Sequence, residues 1–188
     1  MYIVKKLSDN SKEFLNTYYS IIDQMTNEMA EVLPCDSISA KFIKHILPLE
    51  HGGINLSQNI LKYTTNIDVE NFAKDVIEKH TASLSVLNKI GEKCACVCNK
   101  ERDVNLYMRK YNEILDAMNN RFNNIPTSNN INTFYITSMM IHHESAINFA
   151  KNLLAFTICD ELKAYAGNMI TAYTSHLSNM RNMLKGLN

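Results

Sequence analysis

Apolar residues recur along most of this chain at steps of three and four, the spacing that puts them on one face of a helix. In the stretch 38–64 the stripe runs Phe42, Ile46, Leu49, Gly53, Leu56 and Ile60. The stretch 159–186 carries Leu162, Ala166, Met169, Ile170, Tyr173, Leu177, Met180 and Leu184 in the same rhythm. This is helical periodicity, not strand alternation. It predicts six helices, over about 10–33, 38–64, 67–91, 102–124, 130–156 and 159–186. Pro34 and Pro126 stand where the first and fourth should stop, because proline cannot continue a helix. Pro48 falls inside the second and is expected to kink it or delay its start, freeing the carbonyl of Lys44. Asp68 and Asp160 lie near helix starts, where a carboxylate suits the dipole.

The six helices read as two copies of one three-helix unit. Residues 12–91 laid without a gap on residues 105–184 give 17 identities, against roughly five expected from average residue usage. Tyr18, Ile21, Asp23, Met25 and Asn27 meet Tyr111, Ile114, Asp116, Met118 and Asn120. Ile54, Asn55, Asn59, Leu61 and Thr64 meet Ile147, Asn148, Asn152, Leu154 and Thr157. Ala73, Ile77, Thr81, Leu84 and Ser85 meet Ala166, Ile170, Thr174, Leu177 and Ser178. The expected organisation is therefore a single all-α domain over 1–188, with repeat one about 10–91, a linker about 92–101 and repeat two about 102–186. Four helices, two from each unit, can close a bundle about a pseudo-twofold axis. The extra N-terminal helix of each unit should flank it or serve a contact in a homo-oligomer.

Composition narrows the partners. The chain has 188 residues, enough for one sizeable core. Nineteen Lys and Arg balance nineteen Asp and Glu, so the net charge is zero. A neutral chain without a basic stripe argues against nucleic acid as the main partner. No run of 18 apolar residues suggests a membrane span. The first residues carry neither the apolar core nor the small-residue cleavage site of a signal peptide. Five Cys, an odd number, do not resemble a secreted disulfide framework. Together these features lead to the expectation of a cytoplasmic protein.

Candidate chemistry lies in the placement of six His. Glu50 is four after Ile46 and three before Gly53, in the middle of the apolar stripe. His143 holds the equivalent place in unit two, and His142 falls on the seam where unit one has Leu49. His51 and Glu144 are equivalent to each other and lie at the stripe's edge, so unit one reads Glu-His where unit two reads His-Glu. His80 follows Val76 by four and also faces inward, with Tyr173 as its counterpart. His176 lies near the core face of the last helix. Burying such groups unpaired costs several kcal/mol, so they must bond to one another or bind something. The donor mixture of Glu50, His51, His80, His142, His143, Glu144 and His176 suits a transition metal ion such as Cu, Zn, Fe or Mn. The competing reading is a structural or interaction protein, such as a cellular or spore-layer component, whose buried polar groups only fix helix packing. No Glu-x-x-His occurs, which disfavours a ferroxidase-type di-iron centre.

The residues Phe134 or Tyr135, Met140, Ile141, His142, His143, Ala146 and Ala150, followed by Ala166, Ile170, Leu177 and Met180, carry a resemblance. The segment 134–180 resembles the ferritin-like His-His family catalogued as domain of unknown function 305. That resemblance implies a ferritin-like bundle of two α-hairpin repeats, with copper or other metal binding in some members. This chain departs from the pattern at Tyr173, where the family usually has Gln, and at His176, where it usually has Glu. Unit one keeps Pro48 but has Leu49 and Glu50 in place of the two His.

Other chemistry is sparse. Cys94, Cys96 and Cys98 alternate and could share a soft metal or form disulfides, while Cys35 and Cys159 read as small core or edge residues. Ten Met at helical spacing read as core filler. No Gly-rich phosphate loop and no Ser-His-Asp or Cys-His arrangement is recognisable, so an enzyme is the less favoured reading.

Overall fold

The computed structural model describes residues 6–94 and 97–187. Among these residues there are six helices and no strand: α1 Asp9–Met29, α2 Ile38–Ile60, α3 Ile67–Cys94, α4 Glu101–Asn123, α5 Ile131–Leu153 and α6 Asp160–Leu187. The all-α expectation holds. Local chemistry sets the starts. The hydroxyl of Ser8 accepts from the Ser11 N–H, Ser37 does the same for Ala40, and the Asn130 side chain does so for Thr133. Asn66 Oδ1 accepts from the N–H groups of Asp68 and Val69 at the head of α3. Asp68 and Asp160 sit in the first turns of α3 and α6.

Four helix ends differ from expectation: α1 and α2 stop earlier, at Met29 and Ile60, α5 stops earlier, at Leu153, and α3 runs on to Cys94. α1 ends at Met29, before Pro34, because the Ala30 N–H already turns onto the Asn27 and Thr26 carbonyls. α2 ends at Ile60, where the N–H groups of Tyr63 and Thr64 both return to the Ile60 carbonyl. Pro48 neither breaks α2 nor delays its start; the helix is assigned as one element from 38 to 60. Packing on several sides outweighs the lost hydrogen bond there, since Ile46, Pro48, Leu49 and Gly52 are all buried.

The helices pack as pairs in three layers. α2 and α5 pack on each other in the middle. α1 and α4 cover one side, α3 and α6 the other. The first helices are thus a full core layer: Phe14, Tyr18, Met25 and Met29 of α1 are buried, as are Tyr107, Tyr111, Met118 and Phe122 of α4. The two halves make reciprocal contacts. Tyr111 donates to the Met29 carbonyl at 2.8 Å, and its counterpart Tyr18 to the Phe122 carbonyl at 3.4 Å. Asn59 donates to the Phe14 carbonyl and Asn152 to the Tyr107 carbonyl, both at 3.0 Å. Some residues 93 apart meet directly, as His80 and Tyr173 do at 3.4 Å and His142 and Leu49 at 2.8 Å. In the linker, Asn99 joins the halves: its Oδ1 accepts from the Ile38 N–H and its Nδ2 donates to the Thr157 carbonyl.

Candidate metal centre

The polar core lies where the middle layer meets α3 and α6. α2 supplies Glu50, α3 His80, α5 His142 and His143, and α6 Tyr173 and His176. All six are buried. Gly53 makes room for them. A Cβ there would stand 2.8 Å from His80 Nδ1 and Cε1 and 3.1 Å from His142 Nε2.

One arm is acidic. Tyr173 donates to Glu50 Oε1 at 2.8 Å, with the Tyr165 hydroxyl more distant at 3.4 Å. Glu50 Oε2 stands 2.9 Å from His80 Nδ1, but off the line of a hydrogen bond, so neither atom has a hydrogen-bond partner. Burial pushes the Glu50 carboxyl up. The His80 imidazole beside it, the nearby His142 and the Tyr173 hydrogen bond together outweigh it, and the carboxyl ends below its usual range. Burial first, and the Glu50 charge second, push the Tyr173 hydroxyl well up, so it remains a donor.

The other arm is a line of imidazoles. A carbonyl can only accept, so His142 Nε2 carries the proton it gives to the Leu49 carbonyl at 2.8 Å. Burial, assisted by the charge of His80, pushes His142 down to about 4. At neutral pH its Nδ1 is then a bare lone pair, buried and without a partner. His143 Nδ1 donates to the Met139 carbonyl at 2.9 Å. Burial and the three neighbouring His hold His143 well below the usual imidazole value. Its Nε2 therefore accepts from His176 Nδ1 at 3.0 Å. His176 Nε2 in turn faces Lys79 Nζ at 3.2 Å and Asp75 Oδ2 at 3.7 Å. Burial, then the Lys79 charge, lowers His176 as well. The line runs from a surface ion pair to the middle of the core.

The spacing of the rings carries chemical information. Ring centroids are 5.3 Å apart for His80 and His142, 5.3 Å for His142 and His143, and 5.7 Å for His80 and His143. Two imidazoles on one tetrahedral ion, each bonded at about 2.0–2.1 Å, have centroids roughly 5 Å apart. A metal-bound His also commonly gives its other N–H to a backbone carbonyl, as His142 and His143 do here. The nitrogens are not already converged, however. Among the described residues, the three side chains with donor atoms within 4.8 Å of one another are Cys94, Cys159 and Glu161.

The seven residues singled out from the sequence divide. Glu50, His80, His142, His143 and His176 come together. His51 is exposed, and Glu144 forms a surface ion pair with Arg121 at 2.6 Å and a longer one with Arg181 at 3.5 Å. Neither reaches the buried group. Both lie at the stripe's edge, where a helix turns its side chains out of the core. Tyr173, Tyr165 and Lys79 were not singled out. The repeat did mark Tyr173 as the counterpart of His80, but nothing in the spacing says that its hydroxyl reaches Glu50. His45 is buried on another face of α2, stacked on Tyr111 at 4.2 Å, and takes no part.

The cysteines are also corrected. Cys94 is joined by a disulfide to Cys159, with Cα atoms 5.8 Å apart. Cys98 is exposed and free, and Cys96 lies outside the described residues. Cys94 is therefore not a free thiol. Along the outer side of the centre, α3 and α6 leave a groove of about 600 Å³, mainly apolar, reaching His80, Tyr165, Tyr173 and His176. Among the described residues no helix is long and apolar enough to cross a membrane.

No protein-family model matches this chain, and no curated protein matches it in sequence. Two solved structures are similar to it, of CopM in a Cu(II)-bound form and of CopM in an Ag-bound form obtained by soaking. Each has a TM-score of 0.57 at 14% identity, covering 80% of this chain and 97% of CopM. At that identity the likeness is one of fold.

Proposed function

We propose that this chain is a metal-binding helical bundle that handles a transition metal, with copper the first candidate. His80, His142 and His143 hold the ion, and Glu50 serves as a fourth donor or as the carboxylate that orients His80. The observation that carries this reading is the triangle of three buried imidazoles at tetrahedral-ligand spacing, two of them already tied to backbone carbonyls through their other nitrogen. The bare Nδ1 of His142 and the ill-directed pair of His80 Nδ1 and Glu50 Oε2 suit a cation better than they suit each other. A borderline ion matches an imidazole and carboxylate set. Rotation of the rings is needed to aim the donors, and His143 must exchange its bond to His176 for the ion. The copper and silver forms of CopM support the choice of metal by analogy of fold alone. The resemblance of residues 134–180 to the His-His family points the same way. His51 and Glu144 are not ligands in this reading.

The test is a titration of the disulfide-intact protein with Cu(II), Zn(II) and Co(II) against a competing chromophoric chelator. The native chain should hold about one ion at the His centre, and the His80→Ala/His142→Ala variant should lose at least about tenfold in affinity. Equal, weak binding by both would sink the proposal. That result would favour the second reading, a purely structural protein. Its specific support is the unbroken hydrogen-bond line from Lys79 through His176 and His143 to Met139.

A further inference from the structure

We infer that Cys94, Cys159 and Glu161 form a second, redox-gated site for a thiophilic cation of the Zn(II) or Cu(I) class, closed while the disulfide is intact and opened by its reduction. The inference stands independently of the buried imidazole centre. Three side chains from two elements and the residue between them converge here. Cys94 is the last residue of α3, Cys159 immediately precedes α6, and Glu161 lies in the first turn of α6. One donor atom from each falls within 4.8 Å of the other two. Cys94 is buried, Cys159 half-buried and Glu161 exposed, so the site grades from core to solvent and an ion can enter from the Glu161 side.

Two further observations raise this above a chance cluster. Glu161 also lines the groove between α3 and α6, the same groove whose inner wall is His80, Tyr173 and His176. An ion bound at Glu161 therefore lies at a surface continuous with the polar core. Cys159 sits beside the free N–H groups that open a 28-residue helix, a setting that favours a thiolate. Asn99 additionally holds the Thr157 carbonyl, two residues before Cys159, against the inter-repeat linker. The strand of chain carrying Cys159 is thus tethered and need not collapse away when the sulfur–sulfur bond opens.

A dithiol reductant gives two electrons and two protons to the Cys94–Cys159 bond, which breaks, and the reductant's own sulfurs join as a disulfide. Both cysteines are then thiols. A divalent ion displaces their two protons and forms two metal–sulfur bonds, with a Glu161 carboxylate oxygen as third donor and a water as fourth. Two thiolates and a carboxylate select a soft or borderline ion over Mg or Ca. Exchange with a small disulfide, which takes the two electrons and leaves as two thiols, would re-form the Cys94–Cys159 bond and expel the ion, because the sulfurs lose their anionic charge.

Cobalt(II) is the probe, because thiolate ligation to it produces a charge-transfer band in the near ultraviolet that imidazole and carboxylate ligation do not. The protein used is the full chain carrying Cys35→Ser, Cys96→Ser and Cys98→Ser, which leaves only Cys94 and Cys159. It is reduced with a phosphine that is then removed without air. The reduced protein should develop the band, saturating within two equivalents because the imidazole centre also takes cobalt, and the oxidised protein should not. Glu161→Gln should weaken cobalt binding by at least about tenfold while leaving the fold intact by circular dichroism. His80→Ala/His142→Ala should leave the band unchanged, which separates this site from the imidazole centre. No band after reduction, a band of equal strength in the oxidised protein, or unaltered affinity in Glu161→Gln would each overturn the inference.

Discussion

Tyr173 shows how much one hydroxyl can carry at the residue scale. It is the nearest hydrogen-bond donor to the buried Glu50 carboxylate, at 2.8 Å, with Tyr165 a weaker second at 3.4 Å. Tyr173→Phe leaves that charge poorly satisfied. It should cost about 2 kcal/mol of stability, read as a lower urea midpoint, and should raise the pKa of Glu50. An unchanged midpoint would mean that Tyr165 or water replaces the bond. Gly53 acts through space rather than polarity. Gly53→Ala would push a methyl against His80 and His142, both buried and hemmed in. It should destabilise the protein by about 1–3 kcal/mol and weaken metal binding at the imidazole centre. A neutral effect in both urea unfolding and metal titration would contradict the packing described. Neither role can be read from a helical stripe, which tells that a position faces inward but not which atoms it meets there.

At the scale of helices, the starts and the inward faces were largely legible, and the ends less so. Ser8, Ser37 and Asn130 cap three helices as their residue types suggest, and the stripe Phe42, Ile46, Leu49, Leu56 and Ile60 is buried throughout. Pro48 leaves α2 continuous from Ile38 to Ile60, because the helix is packed on several sides there. The reciprocal hydrogen bonds across the α1 and α4 ends provide a test of how the repeat is joined. Tyr111 reaches the Met29 carbonyl at 2.8 Å, whereas Tyr18 reaches the Phe122 carbonyl at 3.4 Å. Tyr111→Phe should therefore cost about 1 kcal/mol and Tyr18→Phe distinctly less, although the two positions are equivalent in sequence. Equal losses in urea unfolding would show that the two halves are more alike than the geometry indicates.

For the whole molecule, the buried imidazoles set a pH dependence. His142 falls from an ordinary 6.5 to about 4 on folding, and His143 and His176 shift in the same direction. The unfolded chain then binds more protons than the folded one below about pH 6.5, so stability drops as pH falls from there toward 4. His142 alone should remove about 2 kcal/mol by pH 5. The depressed Glu50 adds a further loss below 4.5, its ordinary value, with the same sign. Urea unfolding of the metal-free protein at pH 7, 6 and 5 measures this. A flat profile over that range would refute the burial of neutral imidazoles.

The sequence by itself determined the helical class, the six segments and the inward placement of Glu50, His80, His142 and His143. Those follow from periodicity, which is a property of neighbours along the chain. The tertiary structure alone decided the three-layer stacking, the pairing of Cys94 with Cys159, the exclusion of His51 and Glu144 and the arrival of Tyr173 and Lys79 at the polar core. These depend on the rotation of each helix about its axis and on where its ends meet other helices. A shift of a few ångströms there brings a donor into a cluster or removes it, and helical periodicity does not register such a shift.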